Sequence, residues 1–260
     1  MVARGVGLLV VFACSGKPRP EEASHGAPIA GDATPPGEAA PADVAPGSAA
    51  PSAGIGRGDL QVRVEWPDVP VVARSSPGRT PCGTPRAPSV APTTTWGIPD
   101  ALVIVEGAAP PLAGAHVTLA ECAITPQLAV GAGLAITSAV DRPTRLTLRR
   151  CGTLDHVVAG EPVVVMLPIA GHTVTTRLEP GEIYALQTDA ADPELAFVAA
   201  VPGGYVSDAA GHVLARDLAA GPHAVTAWLP PRGGQPARIG RGTATVTAGE
   251  LAELTVRLAP

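Results

Sequence analysis

The chain has 260 residues, a formal net charge of -5 at pH 7, 46% hydrophobic residues and only 3% aromatic ones. Its one lysine, Lys17, and the absence of a basic stripe argue against nucleic acid, because phosphate binding needs clustered cations that displace counterions. Thirty Gly and 30 Pro exclude long helices, which proline breaks, and no apolar run approaches the roughly 20 residues a membrane-spanning helix needs. The core must therefore be built from Ala, Val and Leu on strands and turns, as one sizeable core or, more in keeping with the length, two smaller ones.

At the start, Arg4 precedes an apolar run over 5–13 that ends on the small Ala13 and meets Cys14. The run has the length of a signal-peptide hydrophobic region and is too short to span a bilayer. With the cysteine it resembles the lipobox of bacterial lipoprotein signal peptides. That resemblance implies a leader over 1–13, acylation of Cys14 and membrane contact through a lipid anchor in the bacterial cell envelope. Ser15, in place of Asp, is similar to lipoproteins sorted to the outer membrane. Residues 14–57 are rich in Pro and Ala and hold no aromatic residue, so they predict a disordered, extended tether. Arg57-Gly58-Asp59 spells the integrin-binding tripeptide, a match short enough to arise by chance.

Over 60–66, Leu60, Val62, Val64 and Trp66 alternate with Gln61, Arg63 and Glu65, the pattern of a half-buried strand. A polar loop follows, and further short strands are predicted over 101–106, 116–121, 124–130, 134–137, 145–149, 162–166, 172–176 and 183–187. Gly or Pro turns separate nearly all of them, which argues for an antiparallel sandwich or open barrel. Cys82-Gly83, the stretch WGIPDALVIV from Trp96, CAITPQLAV from Cys122, then Gly133, Asp141 and the Pro180–Tyr184 turn resemble secreted cupredoxin-like proteins of the methylamine-utilisation and plastocyanin-like type. The resemblance implies a cupredoxin-like sandwich over 58–195. Copper in that family needs His, Cys and Met ligands. Here Arg145 stands four residues after Asp141, and the loop 187–195 holds none of the three, so a degenerate site without metal is expected, with Arg145 turned to Asp141.

With Cys14 lipidated, Cys82, Cys122 and Cys151 remain, one disulfide and one thiol in an oxidising compartment. The cupredoxin-like resemblance favours Cys82 with Cys122, with Cys122 to Cys151 as the alternative. A reactive Cys151 would need a neighbouring His, and His156 is near in sequence.

Beyond Pro193, AFVAAV from Ala196, the turn Asp208-Ala-Ala-Gly211 and the strand leading through Gly221 and His223 to Trp228 resemble carboxypeptidase regulatory-like domains of the transthyretin-like fold. The implied unit covers 196–260. Asp208 should accept from turn amides while Gly211 takes positive φ. Val225 and Ala227 should share one face, His223 should be a core or edge residue, and 243–258 should form a closing hairpin.

No G-x-S-x-G, H-E-x-x-H or C-x-x-C motif is present, and no glycine cluster has the strand-to-helix context of a phosphate loop. The expectation is an all-β protein of two Greek-key, sandwich-like units on a disordered tether. It should be non-catalytic and without cofactor, and should act as a protein-interaction or structural component of the envelope. A carbohydrate-binding module for envelope polysaccharide is the alternative, for which Trp66, Trp96 and Trp228 are the candidate contact residues. A vestigial copper carrier is the third.

Overall fold

The computed structural model describes residues 56–80, 82–83, 85–86, 88, 90, 97–109, 113–152, 154, 161–189, 195–233 and 235–259. The leader, Cys14 and nearly all of the tether lie outside them, as do Trp96 and His156. The described chain is all-β apart from one helical turn, α1 (Val71–Arg74), where the sequence reads as polar loop.

The first strand, β1 (Arg57–Glu65), buries Leu60, Val62 and Val64 completely and turns Gln61, Arg63 and Glu65 outward, as its alternation requires. It starts earlier than the apolar pattern because Gly58 lets the backbone close on its neighbours. A Cβ there would lie 2.3 Å from the carbonyl oxygen of Thr247. Both charged side chains of the Arg57-Gly58-Asp59 tripeptide are committed to Asp217. Arg57 Nη1 donates to Asp217 Oδ2 at 2.8 Å, and Asp59 Oδ1 accepts the Asp217 amide at 3.0 Å.

β1 lies between β13 (His212–Ala219), antiparallel to it, and β16 (Leu251–Arg257), parallel to it. The sheet opposite has the order β12 (Gly204–Val206), β2 (Leu102–Val105), β14 (Gly221–Leu229), β15 (Arg238–Val246). Leu60, Val62, Val64, Val103, Val105, Val213, Val225, Ala227, Val246 and Val256 fill the space between the two sheets. Between β2 and β12 the chain builds a second sandwich. One sheet is β4 (Ile124–Thr125), β3 (Ala115–Leu119), β6 (Gly133–Ser138), β9 (Thr173–Arg177). The other is β5 (Leu128–Val130), β11 (Ala196–Ala199), β10 (Ile183–Thr188), β7 (Thr144–Gly152), β8 (Val163–Leu167). Val117, Leu119, Ile136, Leu146, Leu148, Leu167 and Leu186 form its core.

The hydrogen-bond network thus crosses the boundary expected at residues 195 and 196. β1 and β2 belong with the C-terminal strands, and β11 belongs with 115–188. Alternation tells that a segment is a strand and which residues it buries, but it does not name the partner. The sheets are also mixed where an antiparallel arrangement was expected, with parallel pairs β1–β16, β3–β6 and β5–β11. The strand expected over 124–130 is divided at Pro126, which has no amide hydrogen to continue a ladder, and its halves join opposite sheets. The expected closing hairpin is a turn between sheets. β15 pairs with β14 and β16 with β1, so Ala244 and Val246 face Val256 and Leu258 across the same core.

Two strands read as unbroken apolar runs, LVIV in β2 and AFVA in β11, because both of their faces are buried. Val103 and Val105 point into one sandwich, Ala196 and Val198 into the other, and the remaining side chains meet between them. Leu102 and Trp228 from one sheet pack there with Leu128, Ile183, Phe197, Ala199 and Val201. The result is four stacked β layers. A covalent tie also joins the two sandwiches: Cys82, in the loop beyond α1, is bonded to Cys122, in the turn between β3 and β4, with Cα atoms 6.1 Å apart.

Candidate functional site

The seam is closed at Trp228 and Phe197 and open beside them, where a cavity of about 280 Å³ is lined by residues of both sandwiches. Ile104, Thr226 and Arg241 form one cross-strand row on the outward face of β2, β14 and β15, since Thr226 is the direct partner of Ile104 and of Arg241. Leu154, Gly181 and Ile183 line it from the second sandwich, and Val201 from the crossing between the two. Gly181 has a φ of 87°, where a side chain would be strained, and its amide donates to Ala200 at 2.9 Å, which fixes the turn at the cavity edge. The lining is therefore apolar at one end of the row and cationic at the other.

Cys151 flanks the same seam. Gly152 pairs with Ile183 and Arg150 with Tyr184, which leaves Cys151 as the extra residue of a β-bulge, half-buried against the seam cluster. It is outside the disulfide, and its Sγ lies 3.8 Å from the carbonyl oxygen of Arg149.

A second feature is the edge strand β8, flanked by Pro162 and Pro168. Val165 and Leu167 enter the core, while Val163, Val164 and Met166 are 48%, 42% and 56% exposed, and Ile169 just beyond is exposed too. Across the ladder, Met166 pairs with Arg145 and Val164 with Thr147. Arg145, Thr147 and Arg149 share the face opposite the buried Leu146 and Leu148, so apolar and cationic side chains stand together at this edge.

Cys82 and Cys122 form the disulfide that the cupredoxin-like resemblance favours. Trp66 is 5% exposed in the first core, with the Arg238 guanidinium 3.9 Å above its ring, and Trp228 is 6% exposed in the seam. Neither offers an open ring face for a sugar to stack on. No ion pair joins Arg145 to Asp141; both side chains are exposed. Among the described residues, no group of three or more His, Cys, Asp or Glu is arranged to hold a metal ion. His223 is buried in β14, with Nδ1 and Nε2 each 2.7 Å from a backbone carbonyl oxygen, of Glu106 and Ala219. Asp208 Oδ1 accepts the amides of Ala210 and His212 at 2.9 and 2.8 Å, and Gly211 has a φ of 81°, as the turn sequence predicts.

The cavity row is absent from the sequence expectations because Thr226 and Arg241 occupy outward positions, which alone read as solvent-facing. The one signal was Trp228, a large apolar residue on that same outward face. Comparisons with protein-family models, with curated proteins and with solved structures return no match.

Proposed function

We propose that this chain is a non-catalytic envelope lipoprotein, anchored through Cys14, that works as a protein-interaction module by taking up an extended segment of a partner along β8. The observation that carries the reading is the edge itself: three of the five residues of β8 are large, apolar and exposed on a strand whose outer side lacks a neighbour among the described residues. Soluble proteins usually protect such edges with inward charges, lysines or a covering element, so an apolar one is suited to strand addition. Backbone hydrogen bonds would supply affinity. Specificity would come from apolar side chains meeting Val163 and Met166 and from acidic ones within reach of Arg145 and Arg149.

The anchor and tether would hold this edge away from the membrane surface. The test is photo-cross-linking in cells with the reactive residue placed at Met166, at Val164, or at Leu251 on the other sandwich. Capture of one defined partner from the first two sites only, lost in the Val164→Lys/Met166→Lys variant with unchanged circular dichroism, is the expected result. Equal capture from all three sites, or none from β8, would overturn the reading.

A further inference from the structure

We infer that the segment taken up by β8 is β8 of a second copy of this chain, paired antiparallel about a two-fold axis at Val165. This rests on the proposed reading of β8 as a strand-accepting edge and names its occupant. β8 ends the order β5-β11-β10-β7-β8, so its outer side lacks a strand partner among the described residues. From Pro162 to Pro168 the sequence is PVVVMLP, with a proline three residues to either side of Val165. Proline has no amide hydrogen to give to a ladder, so the two prolines limit an added strand to the five residues between them. A two-fold axis at Val165 sets Pro162 opposite Pro168 of the second copy and leaves the five residues of each strand to pair in full. A shifted register sets a proline of each copy against a ladder residue of the other.

The same axis matches the faces of the strand. The exposed Val164 and Met166 meet Met166 and Val164 of the second copy, so apolar meets apolar and each contact occurs twice, as a two-fold interface requires. On the other face Val163, 48% exposed, comes opposite Leu167. Charge does not oppose the pairing. Arg145 and Arg149 lie on β7, three strand spacings, roughly 14 Å, from β7 of the second copy, and exposed charges that far apart are largely screened at physiological salt. Residues 14–57, rich in Pro and Ala, contain no run of large apolar residues that could match β8 instead. Five residues a side are far fewer than the roughly 20–30 of a permanent interface, so the pairing is reversible.

The experiment uses two differently tagged full-length chains produced in the same cells, one carrying Val164→Cys and the other Met166→Cys, both with Cys151→Ser, under mild oxidation. Directly opposite residues of an antiparallel pair have Cα atoms about 4.5–5.5 Å apart, within disulfide range, whereas diagonal neighbours lie about 7–8 Å apart and beyond it. The mixed dimer joining positions 164 and 166 should therefore exceed the 164–164 and 166–166 dimers by about fivefold, and Leu251→Cys on the other sandwich should give none. Equal yields of the three dimers, or no dimer at all, overturn the inference. If no dimer forms, photo-adducts from Met166 with a different protein leave the strand-accepting edge standing, and the absence of any adduct at β8 removes the edge as well.

Discussion

Trp228 meets Phe197 edge to face, with ring centroids 5.3 Å apart and ring planes at 90°. One ring belongs to β14 of the sandwich that β1 completes and the other to β11 of the inserted sandwich, so this pair is where the two cores become one structure. Both rings are nearly excluded from water, and each fills space that no neighbouring side chain could take over without moving a strand. Trp228→Ala or Phe197→Ala should therefore cost about 3–5 kcal/mol in urea unfolding. The double variant should reveal a coupling of about 0.5–1.5 kcal/mol beyond the lost area. Two separate unfolding transitions in the Trp228 variant, in place of one in the parent, would mark the loss of cooperation between the sandwiches. A change below about 1 kcal/mol in either single variant would show that the seam contributes little.

The Cys82–Cys122 bond closes a loop with a sequence separation of 40 and links the segment between β1 and β2, whose Ala73 in α1 and Val90 beyond it sit in the first core, to a turn of the second sandwich. Loop-closure entropy alone gives such a cross-link about 4 kcal/mol. Reduction, or Cys82→Ser/Cys122→Ser, should lower stability by that order and should loosen the seam before either core. Hydrogen exchange can separate the two effects, with amides of β2 and β11 gaining exchange ahead of those of β1 and β7. Peptide mapping of the oxidised protein should recover Cys82 joined to Cys122, with Cys151 alkylated; a peptide joining Cys122 to Cys151 would contradict the connectivity.

Local chemistry explains how much of this architecture could be read in advance. Alternation in 60–66 located β1 and its buried residues, and Asp208 with Gly211 specified a turn whose hydrogen bonds and φ came out as written. What alternation cannot encode is the partner. Nothing within 57–65 says that β1 pairs with strands more than 140 residues later, because that choice depends on which edges the rest of the chain leaves open. The same limit hid the cavity: Thr226 lines it only because the second sandwich packs over part of its outward face, while Arg241 stays exposed at the rim. The LVIV and AFVA runs carried the missing information, since a strand apolar on both faces must be covered on both.

The turn from Asp208 to Gly211 offers a stringent test of the first sandwich. Asp208 Oδ1 accepts two amides, the Asp208 carbonyl accepts the Gly211 amide at 2.9 Å, and a Cβ at Gly211 would lie 2.5 Å from the amide nitrogen of Ile98. Asp208→Ala should cost about 0.5–1.5 kcal/mol, because the two turn amides it leaves can turn to water. Gly211→Ala should cost at least as much, because it adds a backbone clash to the left-handed φ. Thermal melts of both variants check this ordering, and a Gly211→Ala protein as stable as the parent would rule out the turn geometry.

Tyr205 supplies the pH dependence. It sits on β12 against the first core, and burial pushes its phenol above the ordinary value of about 10 because the phenolate is poorly solvated there. A group whose folded value is raised contributes stability that is complete below the unfolded value and is lost as pH rises through the folded one. Stability should therefore hold constant with respect to this group up to about pH 10 and fall above it, and Tyr205→Phe should remove that part of the alkaline decline. The phenolate absorbance of the parent minus that of Tyr205→Phe isolates this one group, and its midpoint should lie above about 10. A midpoint at or below that value would mean that the phenol reaches water freely and is not packed against the first core.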